Sequence, residues 1–244
     1  MARLLNTLLG KIKGKVGSLT FFGTGNDQFL KPSKLPHKKS NMSSIPAKNN
    51  RKRFAQSHYF SKCTIKNPEI FEFWKLMDIK GKSPYFKMFG WNRNKSANDS
   101  LTENNGITPE SISMSVDSLN LNKSALTFKY KLFRTSNSYL KLPYQLYVVA
   151  YLNIGEMSQK LHDDVSLLQI VDIEEETEEF TQVEVKFLDT LSDDSIPKYK
   201  KLYFFIAAVK KIPEKNKYEW SSSYFKVFDI VNLKKGWYNS VEIK

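Results

Sequence analysis

Leu126-Thr127-Phe128-Lys129-Tyr130-Lys131-Leu132 alternates apolar and polar residues, and Val183-Glu184-Val185-Lys186-Phe187 repeats the pattern. A period of two sets one face of a strand on a core and the other in water. Outward from these stretches, β-rich runs recur at the spacing of a sandwich. They are 111–116, 125–133, 144–152, 165–173, 181–188, 201–209 and 222–231. Roughly seven strands, little helix and no cysteine pair predict an immunoglobulin-like or fibronectin-like β-sandwich over residues 111–244, without a disulfide. Trp237, Tyr238 and Val241 are expected to cover one of its edges.

Upstream, residues 96–110 read as a linker, since the stretch around them is rich in Asn, Ser and Thr and includes Asn104-Asn105-Gly106. Residues 51–95 read as a small helical segment. One helix is expected from about Ala47 to Lys66. A second starts at Asn67-Pro68 with Glu69 in its first turn, and a third runs from Tyr85 to Trp91 after Ser83-Pro84. The second carries Ile70, Phe71, Phe73, Trp74, Leu76 and Met77 almost all round, which predicts packing on more than one side. Residues 1–50 read as a basic hairpin and extended arm. Val16 to Phe22 and Gln28 to Lys31 flank a turn cluster at Gly23-Thr24-Gly25-Asn26-Asp27, and Pro32, Pro36 and Pro46 punctuate a connector. The fold class is therefore α+β, mainly β.

Charge divides the chain as sharply as pattern does. The net charge is +13, yet residues 1–100 hold 20 Lys and Arg against 5 Asp and Glu, a net of +15, and the remainder is slightly acidic. Residues 151–200 carry 4 basic against 13 acidic side chains, densest at Asp172 and Glu174 to Glu179. That run reads as a strand edge or loop. A basic front half predicts an anchor on something negatively charged, whether an acidic protein surface or nucleic acid. The residues assigned to that role are Lys11, Lys13, Lys15, Lys38, Lys39, Arg51, Lys52 and Arg53. Three cations at the start of a helix oppose its dipole, a local cost that an anionic partner would offset.

The search for chemistry finds no constellation. Cys63 stands alone, in an apolar helical stretch where a buried inert thiol is expected. His37, His58 and His162 share no metal-site spacing, and His162 with Asp163 and Asp164 reads as a solvated loop. Gly23-x-Gly25 lacks the third glycine of a dinucleotide fingerprint, and neither a P-loop nor a nucleophile elbow occurs. No cofactor and no metal are expected, and a hydrolase on a sandwich scaffold is the least favoured reading. Arg51, Lys52, Arg53, Lys82, Lys87, Arg93 and Lys95, with Tyr59, Tyr85 and Trp91, keep a sequence-nonspecific nucleic-acid binder open as the alternative. The N-terminus is too short an apolar run for a signal peptide, and later apolar runs are strand length. The expectation is a cytoplasmic protein, or one inside a virion or other large assembly, with no membrane insertion.

At Leu9-Gly10, Gly14-Lys15-Val16-Gly17, Leu30-Lys31-Pro32, Asn41, Pro46, Arg51-x-Arg53-Phe54 and Gly81-Lys82-Ser83-Pro84-Tyr85 the chain resembles an uncharacterised family of Bacteroidota proteins. Its members open with a "GKVGN" hairpin block, continue with a helix beginning "R-x-R-F" and end in a β-sandwich. The likeness covers about the first 95 residues by motif and the rest by architecture, with Ser18 where Asn is usual. The resemblance implies no enzyme activity. It implies occurrence in phage-related settings, hence a structural protein whose basic arm threads along neighbouring subunits.

Overall fold

Residues 144–153 and 201–209 are apolar at almost every position, which calls for cover on both faces of a strand. In the computed structural model they lie in β7 (Tyr144–Asn153) and β10 (Lys201–Ile212), and residues 146–153 and 202–209 are all buried. The structure describes residues 2–4, 14–16, 19–24, 27–32, 45–121, 125–135, 138, 140–153, 164–186 and 200–229. It is mainly β, with antiparallel sheets and three helices.

β7 and β10 pair antiparallel from Asn153↔Lys201 to Gln145↔Val209, at the centre of a five-stranded sheet. β8 (Val165–Ile173) flanks β7, while β11 (Lys217–Trp220) and β12 (Tyr224–Asp229) share the far side of β10. Their registers, Val209↔Trp220 and Ile206↔Tyr224, differ by one residue, so they form one interrupted edge. The break falls at Ser221–Ser223, where Ser221 bonds Ala208 and the Ser222 amide donates to the Ile112 carbonyl at 2.8 Å. A one-residue slip of this kind is how a strand bends toward a second partner. The β10–β11 connection turns through Pro213–Lys215 and Asn216, whose positive φ of 47° suits asparagine.

A second sheet has the order β5 (Ser113–Leu121), β6 (Ala125–Phe133), β9 (Thr181–Lys186). Leu126, Phe128, Tyr130 and Leu132 of β6, with Val183 and Val185 of β9, meet Leu146, Val148, Ala150 and Leu152 of β7 and the matching residues of β10 in one core. The intervening β7 and β10 residues, among them Tyr147, Tyr151, Tyr203 and Phe205, meet Phe60, Ile70, Phe73, Trp74 and Met88 in another. Those last five come from α1 (Ile45–Thr64), α2 (Pro68–Leu76) and α3 (Pro84–Asn92). The result is three layers: helices, five-stranded sheet, three-stranded sheet.

Two expectations are corrected here. Residues 96–110 are not a linker. Leu101 and residues 105–109 are buried, and the Trp74 indole donates to the Ile107 carbonyl at 2.8 Å. The Asn, Ser and Thr residues that suggested solvation instead satisfy buried polar groups. The Gly106 amide donates to Asn92 Oδ1 at 2.9 Å, and the Thr108 hydroxyl donates to the Ser221 carbonyl at 2.8 Å. A Cβ on Gly106 would come within 2.7 Å of the Thr108 carbonyl, so the approach requires glycine. Nor are residues 51–95 a separate helical segment, because they share the second core; the chain divides into Met1–Ala47 and Lys48–Lys244.

In the first unit the expected hairpin is part of a four-stranded sheet of order β1 (Ala2–Leu4), β4 (Asp27–Pro32), β3 (Leu19–Thr24), β2 (Gly14–Val16). Its turn is tighter than the Gly23–Asp27 cluster, since Gly23 pairs with Gln28 and Thr24 with Asp27. Residues 33–44 of the connector and the edge-covering tail at 237–241 lie outside the described residues. Pro46 belongs to the first turn of α1, where a missing N–H costs nothing.

Candidate polyanion-binding surface

α1 begins at Ile45, so Arg51, Lys52 and Arg53 sit six to eight residues inside it. At 1.5 Å per residue that is roughly 9 Å or more from the helix start, beyond the first turn where the dipole acts. The expected cost to the helix therefore disappears, and tertiary contacts decide what these cations do. Lys52 Nζ lies 2.9 Å from Asp99 Oδ1, and Arg53 Nε donates to Asn98 Oδ1 at 3.1 Å. Both partners come from the tight turn that follows α3, closed by Ala97 N donating to the Ser100 carbonyl. Arg51 is exposed.

Beside them Phe54 is 46% exposed and packs edge-on against Phe89, with ring centroids 4.9 Å apart. The Arg93 guanidinium lies 5.8 Å from the Phe54 ring centroid. Asn50, Arg53, Phe54, Arg93 and Asn94 line an open cleft of about 320 Å³. Two guanidinium groups, two side-chain amides and one aromatic face form a lining suited to a carboxylate or phosphate oxygen beside an apolar group.

The aromatic surface continues along α1 and α3. His58 Nδ1 and the Tyr85 hydroxyl are 2.7 Å apart, Tyr85 stacks nearly parallel on Phe89 at 5.8 Å, and Phe86 is 54% exposed. Burial pushes the Tyr85 phenol above its ordinary range. Ser83 caps α3 by accepting from the Phe86 amide, which holds this row of rings at the helix start. At its other end Lys95 Nζ sits 3.7 Å from the Trp91 centroid and 3.0 Å from Glu110.

Of the anchors expected from sequence, Arg51, Lys52 and Arg53 lie on this surface. Lys15 lies in β2 opposite Thr20, in the other unit. Lys11, Lys13, Lys38 and Lys39 fall outside the described residues. Phe54, Asn50, Arg93 and Asn94 were not among the anchors. Forty residues separate Arg53 from Arg93, and only the packing of α3 on α1 joins them; their shared signal is an arginine next to an aromatic or amide residue.

Two polar clusters, one buried and one half-buried, lie elsewhere. Asp164 Oδ2 accepts from the Tyr151 hydroxyl at 2.5 Å and from Asn153 Nδ2 at 3.0 Å, and Cys63 Sγ donates to the Asp164 carbonyl at 3.2 Å. Burial, with the Asp164 charge behind it, pushes the Cys63 thiol up to about 11, which leaves it protonated and inert at neutral pH. In the second cluster Glu176 receives two 2.6 Å bonds from Arg134 and one from the Tyr144 hydroxyl, which also meets Tyr130 at 2.5 Å. Burial alone would raise the Glu176 carboxyl, but Arg134 and Tyr144 outweigh it and hold it below its usual range. Burial raises Tyr130 to about 12 and Tyr144 further still. This cluster ties β6, β7 and the β8–β9 connection together.

Among the described residues no three His, Cys, Asp or Glu side chains gather to hold a metal ion, and no helix is long and apolar enough to cross a membrane. His37 and His162 lie outside the described residues. Comparison with protein-family models, curated proteins and solved structures finds no match to this chain.

Proposed function

We propose that this is a non-enzymatic structural or interaction protein that anchors on an acidic or polyanionic partner within a larger assembly. The observation that carries this reading is the cleft in which Arg53 and Arg93 converge on the half-exposed Phe54. The basic excess of residues 1–100 supplies long-range attraction toward the same kind of partner. The β-sheets act as the scaffold, and we assign them to the immunoglobulin-like or fibronectin-like sandwiches. Strand order supports that: β5-β6-β9 faces β8-β7-β10 with β11 and β12, which corresponds to A-B-E against C′-C-F-G. The resemblance to Bacteroidota proteins of phage-related settings fits a subunit of a virion or similar particle.

A second reading is a nucleic-acid binder without sequence readout, favoured by the exposed Phe54 beside Arg53 and Arg93 and by the exposed ring of Phe86. Native purification at low salt, reading size and the ratio of absorbance at the nucleic-acid and protein maxima together, separates the two. The anchoring reading expects a defined multimer or acidic protein partner, lost in an Arg51→Glu/Arg53→Glu variant that stays folded. Co-purifying nucleic acid released by salt would establish the second reading. Unchanged incorporation of the charge-reversed variant would remove the first.

A further inference from the structure

The most acidic stretch of the chain is also held in place. β8 ends at Ile173, and the connection to β9 carries Glu174, Glu175, Glu178 and Glu179, all exposed. Glu176 in their midst is fixed by Arg134 and Tyr144, so the loop is ordered before anything meets it. An ordered loop loses little entropy on docking. Two large apolar side chains are exposed at the same end of the sheets: Phe133, the last residue of β6, at 55%, and Leu142 at 37%. Leu142 lines one cleft of about 350 Å³ with Arg134, Glu176 and Glu178.

The surface is thus acidic and apolar where the α1–α3 surface is basic and aromatic. Among the described residues the two are not paired with each other within one chain. α1 reaches the start of β8, where Cys63 meets Asp164, whereas the acidic loop follows the other end of that strand. Among the described residues Arg51, Arg53 and Arg93 form no ion pair with these glutamates.

Resting on the anchoring function proposed above, we infer that its acidic partner is a second copy of this chain: the β8–β9 loop of one molecule docks on the Arg53–Arg93–Phe54 cleft of the next. Such a contact joins two different surfaces, so it repeats head to tail into a ring or a filament. The basic surface also argues against a nucleic-acid track. Lys52 and Lys95 are already paired with Asp99 and Glu110, and those carboxylates interrupt any path for a phosphate backbone. What remains is a compact site matched to a short acidic segment. Exposed ion pairs contribute little each, so Phe54 and Phe86 against Phe133 and Leu142 supply most of the affinity, while charge sets register and encounter rate.

The test is sedimentation velocity on the full chain, from micromolar to near-millimolar, at low and high salt. Arg53→Glu/Arg93→Glu and Glu175→Lys/Glu178→Lys variants are run singly and mixed, with circular dichroism confirming that each is folded. The expected result is reversible association weakened by salt, at least about tenfold weaker in either variant and recovered in the mixture, where opposite reversals meet. A wild-type chain monomeric throughout overturns the self-docking. If that monomer still retains an acidic protein that Arg53→Glu/Arg93→Glu releases, the anchoring function stands and only the identity of the partner was wrong. Association unaffected by either variant overturns the proposal too. So does a monomer that binds labelled oligo-deoxythymidine through the same arginines, which would make the cleft a nucleic-acid site.

Discussion

The two faces of the central sheet are built from different side chains. Toward the three-stranded sheet β7 offers Leu146, Val148, Ala150 and Leu152; toward the helices it offers Tyr147, Val149 and Tyr151. β10 mixes the two kinds, with Leu202, Phe204, Ile206 and Ala208 on one side and Tyr203, Phe205, Ala207 and Val209 on the other. Along residues 146–152 of β7 the facing pleated sheet meets aliphatics of modest size, although Phe128, Tyr130 and Phe204 also enter that core, whereas three short helices lie less evenly on a sheet. Large rings such as Phe60, Phe73 and Trp74 fill the wider gaps there. The helical layer is therefore as deeply packed as the sheet layer, although its sequence suggested an appended piece.

The largest test of that equivalence is Phe205→Ala beneath α1, where Phe60 packs at 4.8 Å between centroids. It should destabilise the chain by about 4 kcal/mol in urea unfolding. Helix and sheet signals should move together in one transition; a cost under about 1 kcal/mol would mean the helices contribute little to the cooperative unit. Cys63 serves as the probe, because a buried thiol raised to about 11 should react with a disulfide reagent at pH 8 only as fast as the unit opens. Leu146→Ala on the opposite face should cost about 3 kcal/mol. If it proves far more damaging than Phe205→Ala, the two cores are unequal after all.

Glu176→Gln should cost about 2 kcal/mol, the range of hydrogen bonds to a charged group. Its sign with pH follows from a carboxyl held below 4.5 in the folded chain. Near and below that value the unfolded chain binds the extra proton, so the contribution is complete above the unfolded value and lost as pH falls through the folded one. The variant should show a flatter acid limb in stability against pH, and an unchanged limb would remove Glu176 from the clamp. The smallest effect is expected at Lys52→Ala. Its pair with Asp99 is solvent-exposed, and thermal unfolding should register within about 0.5 kcal/mol of the parent.

Much of the strand pattern was legible because alternation is local. Ala125–Phe133 and Val165–Ile173 appear where the side-chain pattern placed them. β11 was missed, since Lys217-Tyr218-Glu219-Trp220 is too short to stand out beside the turn before it. The supposed linker misled for a physical reason: Ser96, Asn105 and Thr108 are the same residue types whether they solvate a loop or satisfy a buried one. At the candidate site the cations of α1 were readable as charge, but their partners were not. Asp99, Asn98 and Arg93 reach them only because α3 packs back across α1.

By itself the sequence determined the strand periodicity, the helix starts marked by proline and Ser83, and the separation of basic from acidic halves, because each depends on residues near one another in the chain. Only the tertiary structure decided that the helices cover the sheet, that Leu101 and residues 105–109 are interior, and that Arg53, Phe54 and Arg93 share one cleft. Each of those depends on which apolar face meets which, a choice made by packing between residues tens of positions apart.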